Sequence, residues 1–404
     1  MQFYAILVSV ENRLNANRGD FFVKAFNCTP CRIMNENIVK SDGCYLFDKN
    51  DKRYMDLESG VWCTSIGHNH SSVKRALLDQ MESVGHVGYR YSCDVVEQAA
   101  SEVLTLLGLE NGKCVFLSSG SEAVEFATQA GDRISGNEKP YILYLKNHFL
   151  SSYGQSAARL PDKWIPVDVS ISNKQQWKQE LDHLPFDKIG TFIFEPGNAS
   201  GLVQLPPKEY ISQIIEQVRV HNGLIVVDEV TTGFGRTGAW FGFEHYNISP
   251  DIVACGKGMG NGYPVSCVAM RGELAERLLD MGFIYAQSHQ NDPLGCAVAC
   301  SVISEIRDRG LIAQSADVGR YFKDKLILLA EKCEHISAVR GIGLMLAVTF
   351  SSDAPIEQIH SELFEAGYIV GMNVQNRVLR IYPPLIIDRP MVDAFIECCE
   401  NILR

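Results

Sequence analysis

The sequence has no long hydrophobic run, no excess of positive charge and no motif of a secreted protein, and each absence excludes a class of function. No apolar stretch approaches the roughly 20 residues of a membrane-spanning helix, so we expect no membrane partner. The 404 residues carry 37 Lys and Arg against 48 Asp and Glu, a net charge of −11. Because nucleic-acid phosphates are bound by clustered basic residues, this balance argues against a nucleic-acid partner. The apolar start of the chain lacks the basic residues of a signal peptide, which favours a cytoplasmic location.

The 13 cysteines do not follow a metal-binding or disulfide pattern. Cys28 and Cys31 form one Cys-x-x-Cys pair, but no second ligand pair stands at a matching spacing. We therefore predict no metal site, and reduced cysteines that pack as small hydrophobic residues.

Short apolar runs alternate with helical patterns in the middle of the chain, which predicts an α/β fold with a mostly parallel sheet covered on both faces. Helical periodicity is clearest at 121–134 and 208–221, and residues 299–330 also have a helical pattern. The apolar runs are Cys114–Leu117, Tyr141–Leu145, Thr191–Phe194, Leu224–Val227, Ile252–Ala254 and Val265–Met270.

The end of the chain predicts a smaller α+β unit, with apolar runs at 341–350 and 378–385 and a helix near 355–366. We therefore expect a large domain at 49–298 and a small domain at 299–404, with an N-terminal segment, 1–48, that joins the small domain.

In an open parallel sheet, ligands bind at the carboxyl ends of the strands, so we examined the residues that follow each apolar run. The segment Ser118–Glu122 stands between a strand and a helix, where Gly120 permits close approach of a ligand and Ser121 can cap the helix. A helix N-terminus favours an anion, often phosphate. Neither a Walker loop nor a dinucleotide fingerprint is present here, and a plain helix cap remains the alternative.

Two further segments place charged residues after apolar runs. Asp228 and Glu229 end an apolar strand, and a buried Asp228 should meet a cation, either a protonated heterocyclic nitrogen or a metal ion. Lys257 lies in a glycine-rich loop, Gly256–Gly262, where a lysine of lowered pKa can form a Schiff base. A solvated surface lysine is the ordinary alternative. Together, a phosphate site, a buried aspartate and a loop lysine match the requirements of pyridoxal 5'-phosphate.

At these positions the sequence resembles the class-III pyridoxal-phosphate-dependent aminotransferases, which belong to the fold-type-I superfamily. The resemblance covers about residues 40–390, and Asp228 and Lys257 have the family's separation. The segments that carry it are Val227–Gly238 (VDEVTTGFGRTG), Ser249–Ile252, Gly256–Lys257, Ser118–Ala127, Glu195–Pro196 and Leu379–Leu385.

The resemblance implies a role in cofactor binding for most of these residues. Lys257 would form the Schiff base and carry the proton between substrate and cofactor, and Asp228 would bind the pyridine nitrogen. The other expected cofactor contacts are Ser119, Gly120 and Ser121 to the phosphate, Val230 to a ring face, Thr231 to the phenolic oxygen and Ser288 to the phosphate in the neighbouring subunit. A homodimer with composite active sites is therefore expected.

The resemblance also implies substrate contacts, with some departures from the family pattern. Arg380 would bind a substrate carboxylate or swing to pair with Glu195, and Trp62 would form an apolar wall, unless it is only a core residue. At the position that stacks on the pyridine we expect His148, with Asn147 as the other alignment. Ser151 stands where amino-acid transaminases often have a second arginine.

These features predict a transaminase that moves an amino group from an amine or a monocarboxylic amino acid to a small 2-oxo acid such as pyruvate. Val61 replaces the glutamine of related decarboxylases, which argues against decarboxylation, and Arg90 is a possible second anion site. An aminomutase or racemase of the same family is the main alternative. A non-enzymatic binding protein of the same fold is a more distant one.

Overall fold

The structure is a computed structural model that describes residues 29, 33–35, 37–170, 173–197 and 201–403. The Cys28–Cys31 pair lies outside the described residues. Among the described residues, no helix has both the length and the apolar character required to cross a membrane.

The strands form three sheets, and the apolar runs predicted in the middle of the chain all appear as strands of the largest one. Its order is β4-β10-β9-β8-β7-β5-β6. The strands are β1 (Ile38–Asp42), β2 (Tyr45–Asp48), β3 (Arg53–Asp56), β4 (Lys113–Leu117), β5 (Tyr141–Leu145), β6 (Trp164–Val167), β7 (Ile189–Phe194), β8 (Leu224–Asp228), β9 (Ile252–Cys255), β10 (Ser266–Met270), β11 (Ile336–Ile342), β12 (Met345–Phe350), β13 (Tyr368–Ile369), β14 (Gly371–Asn373) and β15 (Val378–Ile381).

The helices of the described chain lie mostly between these strands. The α-helices are α1 (Ser71–Ser83), α2 (Asp94–Leu106), α3 (Gly120–Ser135), α4 (Gln155–Ala158), α5 (Lys174–Asp182), α6 (Lys208–Val220), α7 (Gly272–Asp280), α8 (Pro293–Asp308), α9 (Leu311–Ala330), α10 (Ile356–Glu365) and α11 (Arg389–Ile402). Short 3-10 turns lie at Phe186–Lys188, Gly242–Tyr246 and Lys257–Gly260. The predicted helical segment 299–330 is two helices, because Gly310 takes a left-handed φ of 63° between them.

Helices cover both faces of the large sheet, as its apolar strands require. Strands β5 to β9 are parallel, and only β10 runs antiparallel to its two neighbours. Alternate strand residues belong to two different apolar clusters, for example Val226 to the one that contains α3 and Val227 to the one that contains α6. The sheet, buried between these two clusters, holds the carboxyl ends of its parallel strands at one edge, where the predicted site residues lie.

Two smaller sheets, β1-β2-β3-β13 and β11-β12-β15-β14, contain the remaining strands of the described chain. The N-terminal segment contains β1, which pairs with β2. The first sheet combines strands from all three predicted parts of the chain, since β13 runs parallel to β3. The division at residues 48 and 298 stays a prediction.

Candidate active site

The N-terminus of α3 forms a cup of backbone and serine groups directly after β4. The Ser119 side chain caps this helix by accepting a hydrogen bond from the Glu122 N–H at 3.2 Å. Ser266, on the neighbouring β10, donates from Oγ to the Ser119 carbonyl at 2.8 Å and so holds the cup to the sheet. The result is a helix N-terminus with the geometry that binds an anion.

Gly120 is required in this cup by close packing. A Cβ added to Gly120 would lie 2.4 Å from Cγ1 of Val230, a distance that real Cβ atoms do not take. Gly256, next to Lys257, packs closely against Gly120, since a Cβ added to Gly256 would lie 3.2 Å from the Gly120 Cα. The predicted phosphate, ring-face and lysine segments therefore meet at one point.

Ser121 is held by the loop that follows β5. The Ser152 N–H donates to Ser121 Oγ at 3.0 Å, and Ser151 Oγ donates to the Ser121 carbonyl at 3.1 Å. Ser151 therefore supports the cup, where a second carboxylate-binding arginine stands in many transaminases.

Lys257 begins the turn after β9 and has a left-handed φ of 43°. Its Nζ donates to Thr231 Oγ1 at 2.8 Å and lies 4.9 Å from the centroid of the Trp62 ring. Burial lowers the pKa of Lys257, although the carboxylates of Asp228 and Glu195 oppose that shift. A lysine whose pKa is lowered in this position can act as nucleophile and base.

Asp228 and Glu229 have different surroundings although they are neighbours. Glu229 Oε2 accepts hydrogen bonds from Thr232 Oγ1 and the Gly242 N–H, and Oε1 accepts one from the Phe243 N–H, so it braces a loop. Burial raises the pKa of Glu229 to about 8.

Asp228 is 3% exposed and accepts one hydrogen bond, 2.9 Å long, from the Val230 N–H. Burial, and then the negative charge of Glu195, raise the pKa of Asp228 well above its ordinary value. A cation beside this carboxyl would restore its charge and relieve the cost of burial. The protonated pyridine nitrogen of pyridoxal 5'-phosphate is such a cation, so the residues present fit this cofactor.

His148 points inward and Asn147 does not. His148 is 2% exposed, and its Nδ1 lies 3.5 Å from Glu195 Oε2, whereas Asn147 is exposed. Within the described chain neither ring nitrogen of His148 has a hydrogen-bond partner, and burial lowers its pKa to about 3. The ring is therefore neutral and better placed than the Asn147 amide for the predicted stacking role, which stays a prediction.

Trp62 lies on a turn of unusual backbone geometry. The residues Ser59, Gly60, Val61 and Trp62 have φ values of 49°, 56°, 58° and 69°, all in the left-handed region. The turn is held by Ser59 Oγ, which donates to the Tyr382 carbonyl at 2.5 Å, and by the Gly60 N–H, which donates to Asp56 at 2.8 Å. It places the Trp62 ring close to two basic side chains, because Lys257 Nζ lies 4.9 Å and the Arg380 guanidinium 5.1 Å from the centroid of the ring.

Arg380 pairs with Glu58, whose Oε1 accepts from Nη2 at 2.9 Å. The resemblance had implied Glu195 as its internal partner, but in this structure Glu195 lies beside His148. The two partners are 322 positions apart, and no sequence motif marks Glu58. Burial raises the pKa of Glu58, and the positive charge of Arg380 opposes that rise.

Three buried donors beside Trp62 have no hydrogen-bond partner among the described residues. They are Trp62 Nε1, Arg380 Nε and Tyr382 Oη. Tyr382 is stacked at a tilt on Trp62, with ring centroids 5.0 Å apart. Because an unsatisfied buried donor is costly, this group favours a ligand rich in acceptor atoms, such as a carboxylate.

Ser288 lies apart from the other predicted residues, on an exposed loop before α8. No hydrogen bond or ion pair of the described chain joins Ser288 to them. The loop is anchored at its end by Asn291, which exchanges two hydrogen bonds of 2.9 and 3.0 Å with the Phe116 backbone of β4. Arg90, the possible second anion site, is also exposed.

Comparisons with known proteins identify the family to which this chain belongs. The sequence model of the family "Aminotransferase class-III" matches residues 30–150 and 145–403. The acetylornithine aminotransferase of Archaeoglobus fulgidus is 30% identical over 374 residues, which cover 90% of this chain and 94% of that protein. The leucine/methionine racemase of Thermococcus litoralis is 28% identical over 418 residues, 95% of this chain and 93% of that protein. A transaminase structure from the marine bacterium Virgibacillus superposes with a TM-score of 0.82 and 25% identity, over 91% of this chain and 92% of that one.

Proposed function

Because the chain belongs to the class-III aminotransferase family, whose members depend on pyridoxal 5'-phosphate, we propose that it transfers an amino group from an amine or a monocarboxylic amino acid to a small 2-oxo acid such as pyruvate. The fold is that of fold type I, and the enzyme is a transaminase of this class. The observation that carries the substrate proposal is Arg380, the one arginine of the described residues that lies over the Trp62 ring, with Ser151 where a second arginine would stand.

The cofactor would be held by the cup at the start of α3 and by the end of β8. Ser119, Gly120 and Ser121 would bind the phosphate, and Asp228 would hold a proton on the pyridine nitrogen. Val230 and His148 would pack against the ring, and Thr231 would donate to the phenolic oxygen. When bound, pyridoxal 5'-phosphate supplies an aldehyde that takes up the amino group and a cationic ring that withdraws electrons from the substrate carbon.

Lys257 supplies the proton transfers in this proposal. Its lowered pKa leaves Nζ able to remove the proton at the substrate Cα, and the same nitrogen can return it at the cofactor carbon. Thr231 Oγ1, 2.8 Å away, orients the amine. General acid–base catalysis of this kind contributes about 10²–10⁴-fold to a rate.

Glu58 would allow one pocket to take substrates with and without a carboxylate. With an amine in the site, Arg380 stays paired with Glu58 and no buried charge is left alone. When a 2-oxo acid binds, its carboxylate would pair with the Arg380 guanidinium in place of Glu58. The raised pKa of Glu58 would then allow the Glu58 side chain to take up a proton. This gives Glu58 the counter-ion role that the sequence had suggested for Glu195.

Replacement of Arg380 tests the substrate proposal. Arg380→Ala should raise KM for pyruvate about 10–150-fold, the value of a charge-assisted hydrogen bond, and change KM for an uncharged amine much less. Arg389→Ala, which removes an exposed ion pair with Asp317, is the control and should change neither constant. Equal rises for both substrates, or a preference of the wild type for glutamate with 2-oxoglutarate, would overturn the proposal.

A racemase is the second candidate, because the leucine/methionine racemase is similar over nearly the whole chain. Incubation of the holoenzyme with one L-amino acid and no oxo acid separates the two activities. A racemase, or an aminomutase, would convert the substrate without an acceptor, whereas a transaminase stops after one equivalent per active site. The second result supports transamination.

We also propose a homodimer with composite sites, which exposed apolar side chains support. Tyr89 and Tyr91 follow α1, and Ile284 precedes the Ser288 loop, and they are 58%, 72% and 86% exposed. A hydrogen bond of 2.8 Å between His86 and Asp292 joins these two segments. Together they give a surface suited to burial against a second copy.

The composite site predicts that dimer formation and cofactor binding are linked. Dilution of the holoenzyme should release cofactor as the dimer dissociates, and Ser288→Ala should weaken cofactor binding about fivefold, the loss of one hydrogen bond of ~1 kcal/mol. Ser337→Ala, an exposed serine of the C-terminal sheet, is the control. A monomer that keeps full cofactor affinity would contradict the shared site.

A further inference from the structure

Two histidines and one aspartate, which come from two distant segments of the chain, meet beside the Ser288 loop. His86 comes from the segment after α1, His289 from the loop before α8, and Asp292 is the residue that precedes α8. Asp292 Oδ1 lies 2.8 Å from His86 Nδ1 and 3.5 Å from His289 Nδ1. The two imidazole rings lie 4.7 Å apart.

Asp292 has a position at the helix start that usually caps a helix, but its side chain makes no cap hydrogen bond. Its carboxylate is turned towards the two imidazoles instead and is 15% exposed. The donor atoms of the three residues all lie within 4.8 Å of one another. Tetrahedral Zn²⁺ with bonds of about 2.0–2.1 Å places its ligand atoms roughly 3.4 Å apart, so a small rotation of the exposed imidazoles completes the set.

We propose that His86, His289 and Asp292 form a binding site for a divalent transition metal, with Zn²⁺ as the best fit. Two neutral imidazoles and one carboxylate are borderline ligands that suit zinc better than Mg²⁺ or Ca²⁺, which prefer oxygen. A fourth position has room for water, because a cavity of about 190 Å³ is lined by His289, Asp292 and Ser118.

The sequence could not predict this site, because two of its ligands are 206 positions apart and no motif joins them. The site is separate from Lys257 and from Asp228, and its argument does not depend on the proposed substrates. A bound metal would tie the segment after α1 to the loop that carries Ser288. It would therefore order this loop in the holoenzyme, which is the property to measure beside binding.

The test is a titration of tag-free holoenzyme with Zn²⁺ after treatment with a chelator, followed by calorimetry. One equivalent should bind, and His86→Ala, His289→Ala and Asp292→Asn should each weaken binding by more than about tenfold, since even residues that only support a ligand have effects of this size. His289→Gln repeats the loss with a side chain of similar size. His335→Ala is the matched control, because His335 faces a single carboxylate, Asp353, at 3.8 Å without a third ligand.

Titration with Co²⁺ distinguishes metal binding at this site from metal binding to any of the 13 cysteines. The expected spectrum has tetrahedral ligand-field bands and no thiolate charge-transfer band, and it should be lost in the His289→Gln variant. A thiolate band, binding of zinc that is unchanged in His289→Ala and Asp292→Asn, or no binding of one equivalent would each overturn the proposal. Protection of the 283–292 backbone from hydrogen exchange should rise with zinc in the wild type and not in the variants.

Discussion

The proposed active site has two ends that are built in different ways. The cofactor end consists of Ser119–Ser121, Asp228 and Lys257. The substrate end consists of Glu58, Trp62 and Arg380. The first lies at the carboxyl ends of three strands of one buried sheet, whereas the second is assembled from outside that sheet. The proposed cofactor contacts thus follow strands of the buried sheet, and the proposed substrate contacts lie on a turn and on a smaller sheet outside it.

The backbone shows the same difference. At the substrate end, a left-handed conformation costs roughly 1–2 kcal/mol for each non-glycine residue, and Ser59, Val61 and Trp62 all adopt it. At the cofactor end only Lys257 does so. We therefore expect substitutions at the cofactor end to reduce turnover equally for every donor, and substitutions at the substrate end to change the ranking of donors.

Lys257→Ala should have the largest effect of the cofactor-end changes. Turnover should fall by about 10⁴-fold or more for every donor, because the variant loses both the covalent link and the proton carrier. Steady-state assays with several donors measure this loss, and Lys163→Ala, which removes a lysine paired with Asp132 at the surface, should retain activity. Near-normal turnover, or a loss confined to some donors, would contradict the division between the two ends.

Asp228→Asn should have the next largest effect, about 10²–10³-fold on turnover. A neutral amide cannot hold the proton on the ring nitrogen, and the loss of a preorganised charge acts mainly on the transition state. Cofactor binding should weaken less, by about 1.5–3 kcal/mol. Asp132→Asn is the surface control, and retention of most activity by the Asp228 variant would exclude its role at the nitrogen.

His148→Phe tests the buried environment of His148, which lies beside Glu195, by its effect on protein stability. The pKa of His148 falls from 6.5 to about 3 on folding, so the folded state excludes a proton that the unfolded chain takes up. The free energy of unfolding is therefore highest above pH 6.5. It decreases as the pH falls towards 3, because only the unfolded chain takes up this proton.

Between pH 7 and pH 5 the wild type should therefore lose about 2 kcal/mol of unfolding free energy through this residue alone. Denaturant unfolding at the two pH values measures the change, and His148→Phe should lack this contribution while it keeps an aromatic ring for stacking. The same pH dependence in both proteins would show that His148 is not the buried neutral group. Activity of the variant should change by a similar factor for all donors.

The residues predicted for the cofactor end lie together in the structure, whereas the partner of Arg380 at the substrate end was not predicted, for a physical reason. Strands, caps and glycine loops are local, so the apolar runs and the residues after them located Gly120, Asp228 and Lys257 within short segments. The pair of Glu58 and Arg380 depends on contacts across 322 positions, which no local pattern encodes. The left-handed turn at 59–62 was also missed, because three of its four residues are not glycine.

Strand β4 leads directly into the phosphate cup, and it stands at the edge of the large sheet with β10 as its neighbour there. In a nascent chain about 150 residues must follow β4 before β10 exists, a delay on the order of 8–30 s at the usual rate of synthesis. During that time the cup strand has an unpaired edge, which invites pairing with other chains. The cup strand of this enzyme is therefore synthesised well before the strand that covers its edge, and we expect its yield in cells to depend on protection during that interval.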